Sequence, residues 1–205
     1  SQDTVSRVMN MNARLVHRGP DGQGAFYQGP VALAMRRLSI IDLEGGQQPL
    51  FNEDRSVVLV ANGEIYNHVE LRAQLRSQGH RFKSGSDCEV IVHLYEEYGL
   101  DCVKHLRGMF AFALWDVRRK RLLLGRDRLG VKPIYVSDDG RRLIFASEAK
   151  AVLAAPGTKP ELELAALQSY LALGYVPAPQ SMFRGIRKLP PGTLLIAEGG
   201  RVAEH

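Results

Sequence analysis

Residues 62–67, Asn62-Gly63-Glu64-Ile65-Tyr66-Asn67 (NGEIYN), stand between the apolar run of residues 57–61 and a well-patterned helical segment. The run ends in an amide side chain and an unhindered glycine N–H at the mouth of a buried strand. Two donors fixed on a strand end suit the stabilisation of an oxyanion, because they need no reorganisation when charge develops on a carbonyl oxygen. The same letters also read as an Asn-Gly turn joining strand to helix. Both readings stay open on these residues alone.

Downstream, Asn67 with Glu70 has the spacing of a capping box, and Tyr66 with Leu71 that of a hydrophobic staple, so a helix is predicted to begin at Asn67 and to stop at Gly79. Ser86 and Glu89 repeat the pattern for a second helix, whose Cys88, Ile91, Tyr95 and Tyr98 share one face and whose stop is Gly99. Residues 31–40 and 56–61 read as buried strands. Residues 110–117, 122–125, 133–136 and 143–146 form four short strand patterns and predict an antiparallel meander. Ser147 caps a short helix that Pro156-Gly157 breaks. A further helix over 162–173, a proline-rich passage and a strand over 193–197 complete the chain. Strands, two helices and strands again imply an α+β layered fold.

With 205 residues and 45% apolar content, the chain can bury a full core. No run of 18 uncharged apolar residues occurs, and residues 1–15 lack the apolar centre of a signal peptide, so no membrane association and a cytoplasmic setting are expected. Two cysteines, Cys88 and Cys102, make no disulfide framework and no metal-ligand spacing. The net charge of +5 is scattered. Its densest point, residues 118–121, lies between two strand patterns and reads as a hairpin tip, so nucleic acid is not the implied partner.

Several residues could carry chemistry. In His17-Arg18-Gly19-Pro20-Asp21-Gly22, proline presets a tight turn, and a histidine there needs a positioned partner before it can do acid–base work. Arg36-Arg37 places two cations in an otherwise apolar strand, where a guanidinium needs a carboxylate or a ligand. Asp87 sits in the first turn of a capped helix, which the macrodipole alone explains, yet it could also anchor an ammonium group. Glu64 invites the same two readings. Arg37, Glu64 and Asp87 together could clamp both charged groups of an amino acid.

HRGPDG, RLSIID, NGEIYN, GSDCEV, GMFAFALWD and GRDRLGVKPIY occur in the order and approximate spacing of the glutaminase domain of asparagine synthetases, the class II glutamine amidotransferases. The resemblance covers roughly residues 8–200. It implies an Ntn-hydrolase-type four-layer αββα sandwich of antiparallel sheets. Arg37 would bind the glutamine carboxylate, with Leu38, Ser39, Ile40 and Ile41 as the adjoining pocket wall. Asn62 and Gly63 would form the oxyanion hole, and Glu64 and Asp87 would engage the amino group. The implied partners are glutamine and the chain's own C-terminal synthetase domain, where ATP and magnesium would act. The glutaminase domain itself needs no cofactor or metal, and a homodimer is an assembly to test for.

The resemblance also implies an N-terminal cysteine whose α-amine is the base. Here the chain opens Ser1-Gln2-Asp3, and Val5, Val8, Met9, Asn12 and Leu15 have helical spacing. The expectation is a fragment that lacks the first strand with its nucleophile, so this piece would be inactive. Residues 1–157 would be the glutaminase core, and 158–205 the segment closing it and leading to the absent synthetase half. Cys88, on an apolar helix face, reads as a small buried hydrophobe rather than a replacement. A non-catalytic scaffold, as in β-lactam synthetases, is the competing reading.

Overall fold

The computed structural model describes residues 2–38 and 46–205. The chain runs α1 (Gln2–Ala13), β1 (Gly22–Gln28), β2 (Val31–Arg37), β3 (Leu50–Phe51), β4 (Val57–Ile65), α2 (His68–Ser77), α3 (Val90–Tyr98), α4 (Cys102–His105), β5 (Gly108–Asp116), β6 (Arg121–Arg126), β7 (Tyr135–Asp138), β8 (Leu143–Ala146), α5 (Ala149–Leu153), α6 (Leu164–Leu173), β9 (Arg187–Lys188), β10 (Leu194–Glu198) and β11 (Arg201–Glu204). Every strand pairing is antiparallel.

The centre is a six-stranded sheet in the order β11-β10-β6-β5-β4-β3. Alternation along β4 and β5 sends Leu59, Ala61, Ile65, Phe110, Phe112 and Leu114 to one face, where Leu75 of α2 and Ile91 and Leu94 of α3 meet them. Val58, Val60, Ala111, Ala113 and Trp115 point to the other face and pack on Leu33, Ile134, Val136 and Leu189. That second layer has two pieces, a two-stranded sheet β1-β2 and a three-stranded sheet β8-β7-β9. Helices α1 and α5 lie over them, α1 on β2 and α5 on β7 and β8. The order of layers is helix, sheet, sheet, helix. Strand β10 enters the central sheet beside β6, and β9 enters the second layer beside β7, so residues after 158 are built into both sheets.

Several local expectations give way to tertiary contacts. β4 continues through Asn62, Gly63, Glu64 and Ile65, because β5 pairs with every one of its residues from Val57 to Ile65. The Asn-Gly pair is therefore strand rather than turn. Asn67 does not cap α2; its amide donates to the His105 carbonyl at 2.9 Å and its oxygen accepts from the Arg107 N–H at 3.0 Å, tying the end of β4 to the start of β5. Ser86 makes no side-chain cap either. The helical segment opens with a 3-10 turn over Asp87–Glu89, and the Glu89 carboxylate reaches back to the N–H groups of Lys83 and Ser84.

The four-strand meander is also divided. β5 and β6 form a hairpin in the central sheet, with Asp116 accepting from the Arg118 and Arg119 amides at its tip, whereas β7 and β8 lie in the second layer. The crossing is held by Asp127, whose carboxylate accepts from the N–H groups of Phe110, Leu129, Val131 and Lys132. Arg126 meanwhile donates to the carbonyls of Gly130, Lys132 and Leu189. No helix among the described residues is long and apolar enough to cross a membrane.

Candidate active site

On β4 the polar run falls where the central sheet loses its cover. β3 pairs only with Val58 and Leu59, so the edge of β4 beyond them has no strand partner among the described residues. Backbone N–H directions alternate along a strand. The Tyr66 N–H donates towards the β5 side, to the Arg107 carbonyl at 2.7 Å. The Ala61 and Ile65 N–H groups therefore point to the open edge, and each meets a side chain there. Gln48 Oε1 accepts from Ala61 at 2.7 Å, while its Nε2 donates to the Ala61 carbonyl at 2.9 Å. Asp87 Oδ2 accepts from Ile65 at 2.6 Å. Gly63 lies between them with its N–H on the same edge, and that N–H has no hydrogen-bond partner among the described residues.

Glycine is required at this point by close approach. A Cβ at Gly63 would stand 2.3 Å from the Met109 carbonyl oxygen and 2.6 Å from Phe110 Cα, both backbone atoms that cannot swing aside. Asn62, one residue earlier, is exposed and lines a cavity of about 470 Å³. The cavity lies between the two pieces of the second layer: Ala32, Leu33, Ala34, Met35 and Arg36 of β2 form one wall, and β8 the other. Val60 and Ala61 with Ala111 and Ala113 form its floor, and α1 contributes Val8, Met11 and Asn12. The Asn12 amide is buried there, and neither of its polar atoms has a hydrogen-bond partner among the described residues.

Acidic groups gather beside this edge. Burial raises the Glu64 carboxyl, and the Asp87 charge adds to the rise, against the pull of Lys132 and His68. Asp87 is buried, so one carboxylate both fastens the end of β4 and sets the charge felt by Glu64. Cys88 follows with its Sγ 4.0 Å from the Gly63 carbonyl oxygen. Burial, then the charges of Asp87 and Glu64, push its thiol well above the ordinary cysteine value. Burial pushes Cys102 up to about 12. Among the described residues, neither thiol has the cationic support that makes a thiolate.

Arg37 is buried at the end of β2, paired with Gly22, and its carbonyl accepts from Asp21 N–H at 3.1 Å. The His17 to Gly22 turn closes on that strand end, and Arg36 donates to the Gly19 carbonyl and to Gln23 Oε1. His17 meets Glu148 at 2.9 Å, so its partner is a loop carboxylate. Leu38 is exposed; Ser39, Ile40 and Ile41 lie outside the described residues. The structure thus brings Asn62, Gly63, Glu64 and Asp87 together at one strand end. Sequence patterning missed Gln48, which completes the edge by mimicking a strand partner and carries no local signal.

The chain matches the glutamine amidotransferase domain family over residues 1–205. It is 40% identical over 191 residues to a glutamine-hydrolysing asparagine synthetase of Bacillus subtilis, covering 93% of this chain and 30% of that protein. It is 51% identical over 136 residues to one of Arabidopsis thaliana, covering 66% and 23%. The chain therefore spans about a third or less of the length of these curated relatives. In fold it is similar to the glutamine phosphoribosylpyrophosphate amidotransferase of B. subtilis, with a TM-score of 0.66 at 20% identity, over 97% of this chain and 46% of that one. The profile match and the layer order agree, and the chain belongs to the class II glutamine amidotransferase domain family.

Proposed function

We propose that this domain is the glutamine-hydrolysing half of an asparagine-synthetase-like enzyme, releasing ammonia for an ATP-dependent amidation in a second half of the protein. The observation that carries the reading is the Gly63 N–H, held on the open edge of β4 beside the unengaged Asn62 amide. Attack of a thiolate on the glutamine side-chain carbonyl puts negative charge on its oxygen; the Gly63 N–H is held by strand pairing before the charge forms, and the Asn62 amide stands beside it. Collapse of the intermediate breaks the C–N bond, protonated nitrogen leaves as ammonia, and water then cleaves the thioester to glutamate.

The substrate's charged ends call for the remaining residues. The Arg37 guanidinium would fork onto the glutamine carboxylate, and Glu64 and Asp87 would take the ammonium. Leu38, with Ser39, Ile40 and Ile41 after it, would form the adjoining wall. The buried, neutral thiols of Cys88 and Cys102 do not suit the nucleophile, which would come from a cysteine on the full-length chain. The cavity between β2 and β8, two strands each paired on one side only, would admit an extended segment bringing it in.

Exposed Leu164, Tyr170, Leu171 and Leu173 of α6, with Tyr175, offer an apolar surface for the second half, in a cytoplasmic protein. The reading is tested by assaying glutamate release from glutamine with the full-length protein. Arg37→Ala should raise KM at least about tenfold, because one charged hydrogen-bonded contact is worth about 1.5–3 kcal/mol. Absence of both glutamine binding by calorimetry and glutamate release would support a scaffold role instead.

A further inference from the structure

We propose that Glu53, His80, His93 and Glu96 form a closed structural site for a divalent transition-metal ion of the zinc type. One ligand atom from each lies within 4.8 Å of the others. His80 Nδ1 is 3.3 Å from Glu53 Oε1 and 3.6 Å from Glu96 Oε2. His93 Nδ1 is 3.5 Å from Glu53 Oε2 and 3.2 Å from the same Glu96 Oε2. Charge-assisted hydrogen bonds run at about 2.7–2.9 Å, shorter than any of these four. Ligands about 2.0–2.2 Å from a tetrahedral ion stand about 3.3–3.6 Å from one another; the four histidine–carboxylate spacings, 3.2–3.6 Å, lie close to that, within a set whose ligand atoms span at most 4.8 Å.

The surroundings are those of ligands held by outer partners. His80 Nε2 lies 3.1 Å from Glu97 Oε1, an arrangement that fixes the ring tautomer and turns Nδ1 inward. Glu96 Oε1 accepts from Asn52 Nδ2 at 2.7 Å, and Glu53 Oε1 from the Arg81 N–H at 2.8 Å. His93 is fully buried, and its Nε2 faces Glu89 at 3.9 Å with no hydrogen-bond partner among the described residues. The competing cation, Lys83, donates to the carbonyls of Asn52 and Glu53. Two imidazoles select a transition metal over calcium or magnesium, and two carboxylates neutralise its charge.

Four protein ligands leave no open position, so the role is structural. The ion would tie the β3–β4 connection, the segment after α2 and helix α3 together, and the 3-10 turn leading into α3 carries Asp87 onto the β4 edge. The sequence signal was weak because the ligands come from three segments in no standard spacing. The site is independent of the glutamine reading.

The test is zinc titration of the chelator-stripped chain against a chromophoric competitor. One tight site per chain is expected, with cobalt giving a tetrahedral visible spectrum. Combined His80→Ala and Glu53→Gln should weaken binding at least 100-fold, and Glu97→Gln about 10-fold. Zinc at about 100 times Kd should raise the unfolding midpoint by about 5–10 °C in the parent and leave the double variant unmoved. No stoichiometric binding, or equal binding by the folded double variant, overturns the site. If the double variant fails to fold, the parent titration and cobalt spectrum decide, and absence of either refutes it.

Discussion

The two sides of β4 treat polar groups differently. Towards α2 and α3, the strand packs a core in which Leu59, Ala61 and Ile65 meet Leu75, Ile91 and Leu94, and a nearby polar group such as the buried Tyr95 hydroxyl donates to a definite partner, Asp116. Towards the cavity and the open edge, the Asn62 side chain and the strand-held Gly63 N–H have no hydrogen-bond partner among the described residues. The helix side secures the strand, and the other side presents it. Positioning without satisfaction is costly for folding and useful for chemistry, since donors left ready for a ligand must be supported from elsewhere.

The largest stability effect should follow from breaking the helix side. Leu94 is fully buried between α3 and the sheet, so Leu94→Ala should cost about 2–5 kcal/mol in denaturant unfolding, from lost transfer energy plus the cavity left behind. A cost below 1 kcal/mol, well under the range for such cavities, would mean that this side is loosely packed. At the junction of the two sides, Gly63→Ala forces backbone apart at Met109 and Phe110 and should cost about 1–3 kcal/mol. Gly63→Ala matching the parent in unfolding would contradict the close approach of β4 and β5.

The strand expected over residues 56–61 was legible because its apolar run had one possible environment, whereas its extension through Asn62 and Gly63 was hidden by poor strand propensity. Nine-residue pairing with β5 overrides that preference. β1 was missed for a related reason: Gln23, Gly24 and Gln28 dilute the pattern, and β2 supplies the ladder. Capping boxes at Asn67 and Ser86 were sound local readings that lost to long-range acceptors and donors. The proposed roles of Asn62, Gly63, Glu64 and Asp87 rest on motif order. Their meeting at one edge depends on Gln48 and on pairing across the sheet, which no local window contains.

A smaller effect should come from the crossing between layers. Asp127 is held below its ordinary value: burial would raise it, but the Lys132, Val131, Phe110 and Leu129 amides outweigh burial. A depressed carboxyl stabilises the fold above its unfolded value, about 3.9, and loses that contribution as pH falls through the lower folded value. Asp127→Asn should therefore be less stable by about 1–3 kcal/mol at pH 7. The gap should close as pH falls below about 4. A gap constant from pH 7 to pH 3, where a carboxyl of ordinary value is mostly protonated, would show that charge plays no part.

The smallest effect should be at Cys88. Its buried thiol packs under Gly63 without supplying a nucleophile, so Cys88→Ala in the full-length protein should keep glutamine turnover within about twofold. Loss of turnover with folding intact would give the thiol a role that its surroundings oppose.

The direct test of the central claim is glutamate release by the full-length protein carrying Asn62→Ala. Removal of one of two fixed oxyanion donors should lower kcat about 10²–10³-fold with KM little changed and the unfolding midpoint close to that of the parent. A kcat within about twofold of the parent would contradict the assignment of the β4 edge as the oxyanion site, since removal of such a donor should cost far more.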